Sequence, residues 1–209
     1  MTSVTEQHAR RALELGSATL YEASGLDCAA DPQIRNIWRG MAIAAPAFPV
    51  ACSPGDNLAL HLALEKAPRG SVLVVTTDGH LAGYWGEVLT VAARAAGLAG
   101  LITDGGVRDI AAIKKHDFPV FARGVSVRGT IKSSFQSVGQ PFRFTGIPVD
   151  AGDVVVADDD GVVIIPAAEF SRVLQDGEAR EAKERLMMEK LNAGSTTVDL
   201  MGLSQWRTQ

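Results

Sequence analysis

Cysteine is scarce: the 209 residues contain two, Cys28 and Cys52. They lack the close spacing of a metal motif and form no disulfide framework, which fits a reducing cytoplasm. No apolar run approaches the roughly 20 residues a membrane helix needs, so no membrane partner is expected. The first eleven residues include Glu6, His8, Arg10 and Arg11 and hold no apolar signal core. A basic excess is also missing. The net charge is −4, and no Lys/Arg run interleaves with aromatics, so nucleic acid is not an expected partner.

Several catalytic signatures are absent. His8, His61, His80 and His116 show no i, i+4 zinc pairing and have no nearby cysteine. There is no Gly-x-Ser-x-Gly turn for a serine nucleophile, no Gly-x-Gly-x-x-Gly after a strand, and no P-loop. His61 lies mid-helix among leucines and reads as structural, while His80 sits in a loop from which it can reach a ligand. Lys132 is the best lysine for a Schiff base. Nothing beside it supplies the apolar pocket that lowers a lysine pKa, so a loop lysine or an anion contact is the simpler assignment.

The length suits one domain, residues 1–209, able to bury roughly 70% of its unfolded surface. Hydrophobic residues make up 46% and charged residues 21%, as in ordinary globular proteins. Residues 5–24 predict a leading helix. Residues 41–46 and 48–52 predict extended segments, because proline excludes a helix there. A helix follows from Leu58 to Leu64, closed by Pro68 and Gly70. From Ser71 to Lys115 the pattern alternates strand, loop and helix twice, an α/β signature. Short strands follow near 119–124, 146–149, 153–158 and 161–166, with a tight turn at Asp158–Gly161. The triple aspartate there lacks the further ligands of a calcium loop. Residues 167–192 predict a charged helix with a kink at Gly177. Both terminal helices are expected at subunit contacts. Packed β layers covered by helices suit this order better than a doubly wound sheet.

The most informative stretch is Asp104-Gly105-Gly106-Val107-Arg108-Asp109. It follows the apolar run 98–102 and opens into a helix over 110–115, so it is predicted at the mouth of a sheet, where α/β proteins bind ligands. Arg108 can clamp an anion and Asp109 can ligate a hard cation. A glycine turn with a helix cap and a surface arginine explains the same residues. Gly83-Tyr84-Trp85-Gly86-Glu87-Val88-Leu89 is a second loop of this kind. If a helix opens at Gly86 or Glu87, the amides of Glu87, Val88 and Leu89 form a place for a carboxylate or phosphate. A flexible loop in which Glu87 favours its own helix terminus is the alternative.

Five motifs in order complete the sequence evidence: 55–58 (Gly-Asp-Asn-Leu), 85–89, 104–109, 118–124 (Phe-Pro-Val-Phe-Ala-Arg-Gly) and 152–162. Together they resemble the 4-hydroxy-4-methyl-2-oxoglutarate aldolase family, which is also that of the regulator of ribonuclease E activity. The resemblance runs from about residue 35 to 192. It implies a layered α-β-β-α sandwich like the swivelling phosphohistidine domain, assembled as homotrimers or homohexamers with sites between subunits. It also implies a Mg²⁺- or Mn²⁺-dependent class II aldolase. Such an enzyme cleaves a 4-hydroxy-2-oxo diacid, of the 4-hydroxy-4-methyl-2-oxoglutarate or 4-carboxy-4-hydroxy-2-oxoadipate type, to pyruvate and a second oxo acid, with oxaloacetate decarboxylase side activity. By the resemblance, Asp109 is the metal ligand and Arg108 contacts substrate oxygens. Gly86 and the amides of Glu87, Val88 and Leu89 hold the pyruvyl carboxylate. Glu87 orients a catalytic water, and Glu184 arrives from an adjacent subunit. The alternative is a non-enzymatic ribonuclease-binding regulator of the same fold. Residues 133–144, with Phe135, Phe142, Arg143 and Phe144, match no assigned pattern and are a candidate product pocket or subunit contact.

Overall fold

A computed structural model describes residues 5–208. The chain begins with α1 (Glu6–Ser24), β1 (Arg35–Asn36), β2 (Ile43–Ala51) and α2 (Leu58–Lys66). Next come β3 (Val72–Thr76), β4 (Gly83–Trp85), α3 (Glu87–Ala96), β5 (Gly100–Val107), α4 (Ile110–Lys115) and β6 (Val120–Val125). Short strands β7 (Ser137–Val138), β8 (Phe142–Phe144), β9 (Ile147–Val149), β10 (Val154–Ala157) and β11 (Val162–Ile165) follow. The chain closes with α5 (Phe170–Asn192), α6 (Thr197–Leu200) and a 3-10 turn.

The expected mixed α/β fold forms, with its β layers joined into one sheet. Among the described residues nine strands join one mixed sheet, ordered β1-β6-β5-β3-β2-β10-β11, with β4 on β5 and β7 on β2. The remaining pair, β8 and β9, is separate. The join is β2, which pairs antiparallel with β10 over 43–46 and parallel with β3 over 47–51. The two segments expected around its prolines are therefore one strand. The Ala47 N–H and C=O both serve the β10 side, so Pro46 turns its nitrogen to the other side, one residue before β3 pairing begins. Proline costs a sheet little where no ladder donor is required.

The sheet curls until its edges nearly meet, giving a nearly closed, barrel-like wall. The turn between β10 and β11 reaches β1: Arg35 donates to the Asp160 carbonyl and Asn36 to the Asp159 carboxylate. The Gly40 N–H reaches the same Asp159 Oδ1 at 3.0 Å. Strand alternation then explains the unbroken apolar runs, since both faces are covered. Val72, Val74, Ile102, Phe121, Val155 and Ile164 point into the enclosed core. Leu73, Val75, Leu101 and Val120 point outward under α2, α3 and α4. On the other side, Val154, Val156, Val163 and Ile165 pack beneath α1 and α5.

Two local expectations need correction. The leading helix is broken at Gly16 (φ 79°, ψ 161°), and its second half is capped by Asp158, which accepts from Ser17 N at 2.7 Å and Ser17 Oγ at 2.6 Å. Gly177 does not kink α5. It lets the helix close on α1, where an added Cβ would lie 3.1 Å from Leu15 Cδ1. Residues 133–144 supply β7 and β8; Phe144 is fully buried in the enclosed core, while Phe135 is 45% exposed.

Candidate active site

Strand β5 runs five residues past its predicted end and absorbs Asp104, Gly105 and Gly106. Those glycines are not a turn. An added Cβ at Gly105 would lie 2.7 Å from Thr77 Cγ2, and at Gly106 2.6 Å from the Ala82 carbonyl, so they permit close strand approach. Asp104 is buried behind the strand, accepting from Thr76 Oγ1 (2.8 Å), Thr77 N (2.6 Å) and Thr77 Oγ1 (2.9 Å). It is a framework residue. The side chains at the strand's mouth are Arg108 and Asp109.

Asp109 adopts a left-handed conformation (φ 59°, ψ 36°), which aspartate tolerates better than most residues. Its Oδ2 accepts the Glu87 N–H at 3.1 Å, at the N-terminus of α3. Gly86 makes this contact possible, because a Cβ there would sit 2.4 Å from Asp109 Oδ2. Gly83 does the same for Arg108, whose Cδ would lie 2.9 Å from an added Cβ. Both glycines of the second loop thus clear space for the side chains of the first. Buried Trp85 anchors that loop, donating to Thr90 Oγ1 at 2.8 Å and stacking on Phe118. Arg108 Nε lies 3.8 Å from Asp109 Oδ2, and both side chains are nearly half exposed, at 48% and 45%.

These residues form one wall of a cleft of about 270 Å³, which Val88 and Leu89 also line. Thr90 N donates to the Gly86 carbonyl at 3.1 Å, the first bond of α3. The Val88 and Leu89 amides precede that bond and stand at the helix's positive end. The Glu87 amide is not free, contrary to expectation, because Asp109 occupies it.

Another part of the cleft wall carries residues outside the expected site. Asn57, His61, Thr130 and Lys132 line it. Asn57 Nδ2 donates to the Tyr84 carbonyl at 3.0 Å, yet Asn57 Oδ1 and His61 Nε2 are buried without a partner among the described residues. Buried polar atoms are rarely left unpaired in native proteins, and both residues line the cleft. Burial, then the charge of Lys132, lowers the His61 pKa and favours the neutral ring. His61 was read as structural. The available signal was its i, i+4 spacing from Asn57, in a stretch to Leu64 otherwise of leucine and alanine. His80 stands behind the wall, with Nδ1 2.9 Å from Tyr84 Oη, and does not line the cleft.

Asp56 holds that wall in place. It is 1% exposed, and its Oδ2 accepts the Ser133 and Ser134 N–H groups, each at 2.7 Å, next to Lys132. Burial pushes its pKa up, but the bonds from Leu58, Ser133 and Ser134 outweigh burial and hold it at about 2. That lies below the unfolded value of about 3.9, so the ionised carboxylate stabilises the fold above pH ~4 and this contribution fades as pH falls toward ~2. Asp56→Asn is expected to cost about 2 kcal/mol at neutral pH. Urea melts across this acid range will also show a weaker pH dependence than wild type.

The other expected site residues lie apart from the cleft. The Glu87 carboxylate turns to His116 Nε2 at 3.2 Å and is not among the lining groups. Glu184 pairs with Arg180 at 2.8 Å and borders a separate hollow with Lys183, Met187 and Met201. A single chain does not bring Glu184 to Asp109. Among the described residues no three His, Cys, Asp or Glu side chains cluster as a metal site. No helix among them is long and apolar enough to cross a membrane.

Comparison with known proteins matches this architecture. A Halalkalibacterium halodurans protein with the provisional name 4-hydroxy-4-methyl-2-oxoglutarate aldolase is 33% identical over 156 residues, 72% of this chain and 74% of that one. The crystal structure of an uncharacterized protein from Pseudomonas syringae pv. tomato superposes with TM-score 0.84 at 29% identity, covering 93% of this chain and 92% of that one. Streptomyces coelicolor RraAS2, described as an unusual member of the RNase ES inhibitor RraA protein family, gives TM-score 0.79 at 25% identity, over 89% of this chain and 98% of that one. The family model RraA-like (Aldolase/RraA) matches residues 17–164, and the chain belongs to that family.

Proposed function

We propose that the protein is a lyase that uses a divalent cation, Mg²⁺ or Mn²⁺, to release pyruvate from a 4-hydroxy-2-oxo diacid, with oxaloacetate as a simpler substrate. The observation that carries this is the Asp109 carboxylate. Glycine-cleared space seats it beside Arg108, on a cleft that Asn57 and His61 also line. The donor set fits the cation: Mg²⁺ binds through one or two carboxylates and takes its other ligands from waters and substrate. Asp109 would hold it. When bound, such an ion supplies Lewis-acid charge to the chelating oxygens of a 2-oxo acid.

The chain's own residues do the rest. The Val88 and Leu89 amides receive the pyruvyl carboxylate at the positive end of α3. Arg108 adds charge-assisted hydrogen bonds to the same half, where negative charge develops as the C3–C4 bond breaks. Asn57, His61 and Lys132 read the distal half. Glu87, through a water, takes the C4 hydroxyl proton, and the water returns a proton to C3, which becomes the pyruvate methyl. Glu184 joins this step from a neighbouring copy in a homotrimer or homohexamer. Leu186, Met188 and Trp206 support such an assembly, since each is more than half exposed near the C-terminus.

The direct test is pyruvate production with EDTA and after Mg²⁺ is restored; activity that survives EDTA removes the proposal. Arg108→Ala is expected to lower kcat/KM about 30-fold, the worth of a charged hydrogen bond. Steady-state kinetics on both substrates check this. Pyruvate released from oxaloacetate but not from a branched 4-hydroxy-2-oxo diacid would instead make the protein a decarboxylase. A second reading, a non-enzymatic protein that binds a ribonuclease, draws on the description of the Streptomyces coelicolor relative. Inhibition of a ribonuclease without pyruvate release would favour it.

A further inference from the structure

Glu87 is held at both ends of α4. Its backbone N–H donates to Asp109, which precedes the helix, and its carboxylate pairs with His116, which follows it. The six residues of α4, about 9 Å of helix, lie between these partners. Behind the imidazole, Arg94 Nη1 lies 3.4 Å from His116 Nδ1. A guanidinium only donates, so Nδ1 accepts and the ring proton sits on Nε2, where it serves Glu87. Arg94, His116 and Glu87 thus form a directed chain of donors ending on a carboxylate turned away from the cleft.

The Glu87 backbone is already against Asp109, so a change of side-chain rotamer would redirect the carboxylate without moving the helix. The two destinations compete. At His116 the partner is an imidazole on a partly exposed surface, and such exposed pairs are weak. At Asp109 the partner would be a doubly charged ion, whose pull on a carboxylate is stronger. We propose that His116 is a positioning residue that parks Glu87 outside the cleft, and that a divalent cation at Asp109 draws the carboxylate off it. The acid then enters the site only when the ion is there to use it. This rests on the metal-dependent reading above, and it adds that ion binding competes with the His116–Glu87 bond.

The test is Mn²⁺ affinity of the full chain without substrate, measured by calorimetry or by the EPR signal of free Mn²⁺. His116→Ala is expected to bind Mn²⁺ about threefold tighter, the range an exposed pair allows. His116→Gln, whose amide can replace the Nε2 donor, is expected to return to the wild-type value. In a Glu87→Gln background, His116→Ala is expected to give no further tightening. Unchanged affinity in His116→Ala, or tightening that persists in the Glu87→Gln background, would overturn the parking role and leave the metal-dependent reading standing. Wild type that binds no Mn²⁺, or an Asp109→Asn variant that binds it as well as wild type, would instead overturn that reading and the parking role with it.

Discussion

Asp109→Asn is expected to lower cation-dependent pyruvate release about 10³-fold, the scale of losing a central electrostatic contributor in a reaction that develops negative charge. Asparagine separates chemistry from folding at this position. It tolerates the left-handed backbone that Asp109 adopts, and its amide oxygen can still accept the Glu87 N–H that now ends on Oδ2. The helix cap is therefore retained and the charge is lost. Thermal melts of the variant should stay within about 1 kcal/mol of wild type, the usual worth of a cap. A large fall in melting temperature, or kcat within about threefold of wild type, would be incompatible with a cation held by this carboxylate.

The second large effect is expected from Gly86→Ala, which adds one methyl group and removes no functional atom. Its Cβ would arrive 2.4 Å from Asp109 Oδ2 and 3.2 Å from Arg108 Cγ, distances that force both side chains to move. The backbone itself does not object, since Gly86 is extended (φ −159°) and any residue adopts that conformation. The cost therefore falls on the position of the carboxylate. A displacement of about 1 Å at a reacting centre can reduce rate about 10²-fold. The expected signature is a drop in kcat of that order, with weaker Mg²⁺ activation and a far smaller change in stability. Kinetics across a Mg²⁺ titration, together with a melting curve, would show it.

Much of this site was legible in the sequence because its two loops follow consecutive strand–helix units. Gly86, Val88, Leu89, Arg108 and Asp109 were expected near one another, and they line one cleft. The reason for the glycines was not legible. The contact that requires Gly86 comes from Asp109, and those that require Gly83 come from the Ser126 carbonyl and Arg108, so neither is visible within its own loop. Asp104 misled for a related reason: a glycine pair after an aspartate looks like a turn, but here it lets β5 lie against Thr77 and Ala82. His61 was hidden by its neighbours, since leucines on either side suggest a core helix face. Only the tertiary arrangement sets it on the cleft that Arg108 also lines.

The fold divides in the same way. The runs Val72–Thr76 and Val154–Ala157 announced buried strands, but an unbroken apolar run does not say what covers each face. Here alternate residues serve different cores: Val155 points into the enclosed centre while Val154 and Val156 meet α1 and α5. The expected β layers are joined at β2. Two prolines made it look like two segments, and only the pairing pattern reveals a single strand linking the parallel and antiparallel halves. The edges then meet through Asp159 and Asp160, residues that on their own read as a hairpin turn.

The central claim is that the Asp109 carboxylate holds a divalent cation within reach of Arg108. A crystal soaked with Mn²⁺ and oxalate, an analogue of the pyruvyl half, tests it directly through anomalous scattering. The account predicts a manganese peak on Asp109, with oxalate between the ion and Arg108. An ordered oxalate with no manganese at Asp109, or manganese bound elsewhere while Asp109 stays on the Glu87 amide alone, would contradict it.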